Sequence, residues 1–380
     1  MSAVQVLQVV VGGKNFNGIV SFLYQFYKNI DQEKVHFDFF VIRENAFELK
    51  KDDPVFKDSQ FYVLNAVKKN NKTDHRKMMK GLREVLQTHH YDFVHINTLN
   101  IGAQAPLIYV CKKQKVPVTI SHSHNDYAKT ISFTKLAAHK VLQPYIAKNA
   151  DHLFACSRTS GACLFGEKGV AKDKFRVINN AIDPDIFSYS EETRNRVREA
   201  FGIAPDTFLV GQIGRLAKQK NQEFALEVFQ AFHREKPDSR FWIVGKGEDQ
   251  EKLEEKTKEL GLSDSVVFLG QRDDVPDLLN AMDVFLFPSL WEGLGIAAVE
   301  AQATGIHVLA SDQVSKEAAV TDLIRYLPLS EGAQKWAEEL VSMANDGTAR
   351  KDRREDLRKA GFTIREEAKK LERFYCSEKR

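Results

Sequence analysis

Short apolar, β-branched and aromatic runs recur along the chain. Between most of them lie longer stretches in which apolar residues return every three or four positions. The runs Val4–Val11, Val35–Ile42, Phe93–Ile96, Val116–Ser121, His152–Cys156 and Phe175–Ile178 predict strands, and Met78–Gln87 and Ala103–Lys113 predict helices among them. The second half repeats the theme. Phe208–Ile213, Arg240–Val244, Val266–Leu269, Val284–Phe287 and His307–Ala310 read as strands, separated by helical patterns at Glu223–Glu235, Gln250–Glu259 and Pro276–Ala281. Such alternation implies parallel sheets with helices on both faces, an α/β class with two doubly wound domains. Sheets of this kind hold ligands at the carboxyl ends of their strands, so the expected site is a cleft between the domains. The acidic, proline-containing stretch Ile182–Glu192 (IDPDIFSYSEE) reads as the linker, dividing the chain into 1–185 and 190–362.

Composition is consistent with two cores. The chain has 380 residues, 43% of them hydrophobic. Its formal charge of +3 hides an asymmetry: up to Ser190 there are 26 Lys/Arg against 17 Asp/Glu, so that half carries +9 and the remainder −6. Either the first half meets an anionic surface or acceptor, or the distribution is a neutral accident of the surface. The four cysteines, Cys111, Cys156, Cys163 and Cys376, form neither a C-x-x-C pair nor a disulfide ladder. The opening MSAVQVLQVV lacks the basic flank and long apolar core of a signal peptide, and no run reaches 18 apolar residues. A reduced, cytoplasmic protein is the expectation, with no nucleic-acid partner.

Candidate chemistry concentrates in residues 285–305, FLFPSLWEGLGIAAVEAQATG. A buried strand ends at Pro288-Ser289, a glycine-spaced turn carries Glu292, and a helix opening near Gly295 carries Glu300. The first amides of that helix and its dipole favour an anion, and the glycines let a ligand approach the backbone. Two carboxylates beside an anion site fit a ligand that also bears neutral hydroxyls, such as a sugar ring and a ribose. Earlier, VGQIGRLAKQKN places Gly214, Arg215 and Lys220 between a strand and a helix starting near Asn221. A guanidinium and an ammonium five residues apart on one loop can neutralise a diphosphate.

Glu292 and Glu300, set in PS-x-x-E-G-x-G-x-x-x-x-E-A, resemble the signature of the retaining glycosyltransferases of family 4, whose fold is GT-B: two Rossmann-like domains facing a deep cleft. The Gly-Arg-Leu and Lys positions match as well. So do Gly245-Lys246-Gly247 and Leu269-Gly270-Gln271-Arg272, which in the family surround the nucleotide, with Arg272 by the base. The resemblance is specific from Gly211 to Ser311 and looser before Ile178, and it points to the exopolysaccharide and capsule branch. Two departures stand out: Asn180-Ala181 replaces the usual Asn-Gly, and SDQVSKEAAV, which keeps Glu317, replaces a Gly-Gly turn.

The resemblance implies transfer of a sugar from a nucleotide diphosphate, UDP by analogy with the branch, to a hydroxyl of a glycan or lipid-linked oligosaccharide with retention at the anomeric carbon. The departing phosphate oxygen takes the acceptor proton, so neither a protein base nor a metal or other cofactor is required. Arg215, Lys220 and the amides of Gly293, Leu294, Gly295 and Ile296 would stabilise the diphosphate, Glu292 would orient the sugar, and Glu300 the ribose. Gly214 and Gly13 would lie against the donor. His122 matches the family's N-domain histidine beside the donor sugar, and His124 is the second choice. Gly12 and Asn17, on the turn before the helical pattern Ile19–Asn29, would line the acceptor side; from the residues alone, Gly12-Gly13 is either a phosphate cradle or a tight turn. The charged segment 363–380 would cross back to the first domain, as the family's last helix does.

Other features are less committed. His122-x-His124 lacks further ligands for a metal pair, and Asp183-x-Asp185 reads as linker rather than chelate. Residues 128–148, basic and without acids, read equally as a membrane-surface helix or as one packed on the sheet, with Pro144 kinking either. Ser157 is placed to cap a helix. A GT-B epimerase and a non-catalytic carbohydrate-binding or partner-stabilising protein are the alternatives. A dehydrogenase would need Gly-x-Gly-x-x-Gly after the first strand, which is missing.

Overall fold

The computed structural model describes residues 3–11, 18–42, 53–66, 73–98, 101–124, 133–347 and 349–379. Gly12, Gly13, Asn17 and the start of the 128–148 segment lie outside the described residues. The chain divides into two compact units, 1–181 with 363–380, and 182–362.

Among the described residues the first unit carries seven strands: β1 (Val4–Val11), β2 (Val35–Ile42), β3 (Phe61–Leu64), β4 (Phe93–Thr98), β5 (Val118–Ser123), β6 (His152–Ala155) and β7 (Phe175–Val177). They form one parallel sheet in the order β3-β2-β1-β4-β5-β6-β7. The order reverses direction between β1 and β4, where doubly wound sheets open a crevice at their carboxyl ends. Side chains alternate between faces, and both faces are buried. Leu7, Val9, Val94 and Ile96 pack on one side with Met78, Leu82 and Ile108. Val6, Val10, Phe37, Phe39, Phe93 and Ile120 pack on the other with Phe22, Phe26, Leu371 and Phe374. The last two belong to the helix Ile364–Glu378, so the carboxyl-terminal segment completes the first unit's core.

The second unit holds β8 (Phe208–Ile213), β9 (Ser239–Val244), β10 (Val266–Gly270), β11 (Val284–Phe287), β12 (His307–Ser311) and β13 (Ile324–Leu327), again parallel, in the order β10-β9-β8-β11-β12-β13. Its reversal lies between β8 and β11. Val210, Phe241, Ile243 and Leu286 pack against the helices Gln222–Glu235 and Gly332–Ala344 through Phe229, Phe232, Trp336 and Leu340.

Most strands and helices fall where the hydrophobic pattern puts them. Two four-residue edge strands, β3 and β13, are missed by that pattern because they are largely half-buried and so carry little alternation. Strand β5 lies two residues later than expected, which places His122 inside it. The stretch read as a linker also ends earlier. A helix begins at Glu191, capped by Ser190 Oγ accepting the Thr193 amide at 3.2 Å, with Glu191 and Glu192 beside its positive end. Ser157 caps its helix in the same way through the Ser160 amide at 3.0 Å.

Asp283, directly before β11, ties the Glu191–Ala200 helix to the second sheet. Its carboxylate accepts from the Leu209 amide at 2.7 Å and pairs with Arg194 and with Arg198, whose side chain is 5% exposed. Asp283→Ala leaves that guanidinium buried and unpaired, a change that costs about 3 kcal/mol. Urea unfolding of the variant is expected to show a loss of that size, and an unchanged midpoint would mean that the ion pair is incidental.

Candidate functional site

The loops after β8 and β11 meet at the second sheet's reversal point. After β8 the chain makes a short turn at Lys218–Lys220, and Asn221 adopts φ 55° before the helix Gln222–Glu235 starts. Three hydrogen bonds lock this turn to the β11 loop: the Leu290 amide to Gln219 O at 2.8 Å, Gln219 Nε2 to Trp291 O at 3.0 Å, and Asn221 Nδ2 to Pro288 O at 3.1 Å. Gln212 Nε2 holds the Lys220 carbonyl at 2.9 Å from the end of β8.

The Lys220 side chain is thereby folded inward. Its ammonium pairs with Glu292 Oε1 at 2.6 Å and lies 4.8 Å from the centre of the Phe287 ring. Gly214 makes room for it, since a Cβ there would stand 2.9 Å from Lys220 Cε. The Lys220 side chain is 17% exposed and that of Glu292 8%. Arg215 is open to solvent at 67%, its side chain held among the described residues only by Glu248 at 2.9 Å, itself 56% exposed. Exposed pairs of that kind contribute about 0–1 kcal/mol, so a ligand anion can replace Glu248 at little cost.

Gly295 caps the helix Ile296–Ala303 with φ 94°, a left-handed conformation, and a Cβ there would lie 3.0 Å from Phe287 and 3.1 Å from Val314. That helix carries no side-chain cap. Gly293 and Leu294 are buried in the turn before it, and Ile296 is half-buried. Glu300, one turn into the helix, makes no side-chain hydrogen bond among the described residues. Burial pushes its carboxyl up to about 7, with the Lys220 charge opposing the shift. One ammonium therefore serves two carboxylates, paired with one and acting at a distance on the other. Ser289 Oγ and Gln212 Oε1, at the ends of β11 and β8, are buried without partners among the described residues.

Glycine also brings the β8 and β9 loops together. A Cβ at Gly245 would overlap Gly214 O, and one at Gly247 would overlap Leu216 O. Arg272 forks onto Asp274 at 2.8 and 2.6 Å, with Phe201 beneath its guanidinium. Glu317 is exposed, and its carboxylate accepts from Ser315 Oγ at 3.2 Å. Asp185 pairs with Arg354 at 3.1 Å.

In the first unit, His122 and His124 stand with ring centres 4.0 Å apart, and His122 Nδ1 meets His95 Nε2 at 3.0 Å. Burial holds His95 and His122 well below the usual imidazole range, and His124 down to about 3, so all three are neutral. Among the described residues no three His, Cys, Asp or Glu side chains are grouped to hold a metal, and no helix is long and apolar enough to cross a membrane.

Residues 193–362 match the family described as "Glycosyl transferases group 1", and residues 16–186 the one described as "Glycosyltransferase Family 4". The chain belongs to these GT-B glycosyltransferases. EpsF of Bacillus subtilis (strain 168) is 29% identical to this glycosyltransferase over 90% of the chain and 88% of its own length. The UDP-Gal:alpha-D-GlcNAc-diphosphoundecaprenol alpha-1,3-galactosyltransferase of Escherichia coli is 28% identical over 62% of each chain. Among solved structures, Anabaena Alr3699/HepE in complex with UDP aligns at a TM-score of 0.78 with 19% identity, covering 98% of this chain and all of that one.

Sequence reading missed Gln212, Gln219, Ser289 and, in the first unit, Gln8, His95, Asn97 and Tyr375. The available signal was polarity inside otherwise apolar strands, as in FVHINT and VGQI.

Because Glu300 keeps its proton up to about pH 7 when folded, and releases it near the ordinary 4.5 when unfolded, the folded state loses stability as pH rises between those values. Glu300→Gln is expected to remove that loss, so its stability advantage over the parent grows from about pH 4.5 to about pH 7 in urea titrations. Parallel curves for the two proteins would refute the raised carboxyl.

Proposed function

We propose that this glycosyltransferase moves a sugar, with retention at the anomeric carbon, from a UDP-sugar to a hydroxyl of a glycan or lipid-linked oligosaccharide in surface polysaccharide synthesis. The observation carrying this reading is the Lys220 ammonium, paired with Glu292 at 2.6 Å and close enough to Glu300 to act on it, at the reversal point of the second sheet. A diphosphate entering here would meet Lys220, the exposed Arg215 and the uncapped helix end at Gly295, while the two carboxylates face the hydroxyls strung from it. The HepE structures with UDP and glucose, and the donor named for the E. coli relative, support a uridine nucleotide.

In this reading the residues stabilise charge rather than move protons. Arg215, Lys220 and the Gly293–Ile296 backbone offset the negative charge that grows on the departing diphosphate. Glu292 orients the sugar and Glu300 the ribose; Gly13 and Gly214 lie against the donor, Arg272 flanks the base, His122 meets the sugar, and Gly12, Asn17 and His124 line the acceptor side. The departing oxygen takes the acceptor proton, and no metal or other cofactor takes part. The protein works on the cytoplasmic face of the membrane, touching it through the 128–148 segment, where Val141 is 72% exposed beside Lys140.

A panel of nucleotide sugars is expected to raise the melting temperature most with the UDP donor, since that ligand binds the folded state alone. Arg215→Ala is expected to lower kcat by about a hundredfold or more, while its melting temperature stays near the parent's, because the side chain is exposed. Equal losses of rate and stability would refute the role. EDTA is expected to leave turnover intact, and donor turnover in the absence of any acceptor would indicate an epimerase.

A further inference from the structure

Four polar side chains stand on one face of the first sheet beneath the helix Ile364–Glu378. Strand parity and register put Gln8 of β1, His95 and Asn97 of β4 and His122 of β5 on the face that also carries Val6, Val10, Phe93 and Ile120. Each of the four is fully buried, as is Tyr375, which the helix lowers onto them. A neutral imidazole carries a single N–H, and the nitrogen that holds it follows from its partners.

Asn97 is the fixed point. Its Nδ2 lies 3.2 Å from the backbone carbonyl of His95, an acceptor that cannot reverse its role. The same Nδ2 donates to Gln8 Oε1 at 2.9 Å, which leaves Gln8 Nε2 to donate to the Tyr375 hydroxyl at 3.3 Å. The single hydrogen of Tyr375 then goes to His95 Nδ1, 2.6 Å away. His95 keeps its proton on Nε2 and donates to His122 Nδ1 at 3.0 Å, so the His122 proton sits on Nε2. In the other direction Asn97 Oδ1 accepts from His124 Nε2 at 2.9 Å, leaving His124 Nδ1 a bare lone pair. The two terminal atoms, His122 Nε2 and His124 Nδ1, are buried with no partner among the described residues.

We propose that Asn97, Gln8, Tyr375 and His95 form a directional hydrogen-bond relay that makes His122 a donor at Nε2 and His124 an acceptor at Nδ1. A neutral hydroxyl, which both accepts and donates, satisfies that pair; a phosphate or carboxylate oxygen offers no hydrogen to His124, and a cation is met by the His122 N–H. The four relay members are positioning residues and touch no substrate. Assigning the hydroxyl to a sugar rests on the glycosyl-transfer reading above, whereas the direction of the relay does not.

Nitrogen-15 histidine labelling and long-range proton–nitrogen correlation at neutral pH read each tautomer directly. His95, His122 and His124 are all expected to carry their proton on Nε2. Asn97→Asp removes the donor that sets the direction. The Gln8 amide then turns to donate to the new carboxylate, Tyr375 donates to Gln8 Oε1, and His95 and His122 shift their protons to Nδ1 while His124 keeps Nε2–H. Tyr375→Phe keeps the packing and severs the relay, so His95 and His122 become tautomer mixtures; it carries the test if the buried carboxylate of the first variant prevents folding. A parent His122 protonated on Nδ1, or either folded variant leaving His122 unchanged, overturns the relay. In the transfer assay Asn97→Asp is expected to lower kcat by about a hundredfold with little change in KM for the nucleotide donor. A reversed tautomer with normal kcat overturns the positioning role, whereas the expected tautomers in a protein that turns over no nucleotide sugar support the relay and refute the glycosyl-transfer reading.

Discussion

An ammonium group withdrawn from water costs several kcal/mol unless oxygen atoms replace its hydration shell. Lys220 is in that position, and much of the second unit's carboxyl edge follows from it. Glu292 supplies the closest oxygen, Gly214 leaves space for the methylene stem, and Phe287 offers its ring face to the charge. The turn carrying Lys220 is in turn hydrogen-bonded to the loop carrying Glu292 through Gln219 and Asn221. With this lysine paired to Glu292, Glu300 feels the ammonium only at a distance, and desolvation outweighs it and pushes the carboxyl up.

The first unit solves a related problem without charge. At the corresponding edge of its sheet the buried polar groups are amides, a phenol and three imidazoles held neutral by desolvation. Neutral groups in such a place must satisfy one another, since a buried donor or acceptor without a partner costs about 1–3 kcal/mol. Gln8, Asn97, His95 and Tyr375 do so, and the network's atoms without partners among the described residues lie at its ends, on His122 and His124. Each edge thus presents its own chemistry, a paired ammonium and an exposed guanidinium in the second unit and neutral imidazoles in the first.

Much of the fold was legible because both sheets are buried on two faces, so that strands such as VQVLQVVV and FLVGQI register as apolar runs interrupted only by glutamines. The short edge strands β3 and β13 escaped for the converse reason. At the site, the motif spacing placed Arg215, Lys220 and Glu292 on loops and Glu300 in the helix that follows, but it could not show that Lys220 turns inward while Arg215 faces solvent. That difference depends on Phe287 and on Glu292, which is 72 residues from Lys220 in sequence. The relay was less legible still: Tyr375 is 280 residues from His95, and in the sequence it reads as one more aromatic on an amphipathic helix.

By itself, the sequence determined the α/β class, the alternation of strands and helices, and the glycine positions that let the loops after β8 and β9 touch, because those depend on local periodicity and on the absence of a Cβ. Tertiary structure alone decided which charges are paired, which carboxyl is protonated near neutrality and which nitrogen of each buried histidine carries hydrogen. Those properties are set by desolvation and by the direction of hydrogen bonds between strands and a helix distant in the chain, and neither leaves a signature in residue spacing.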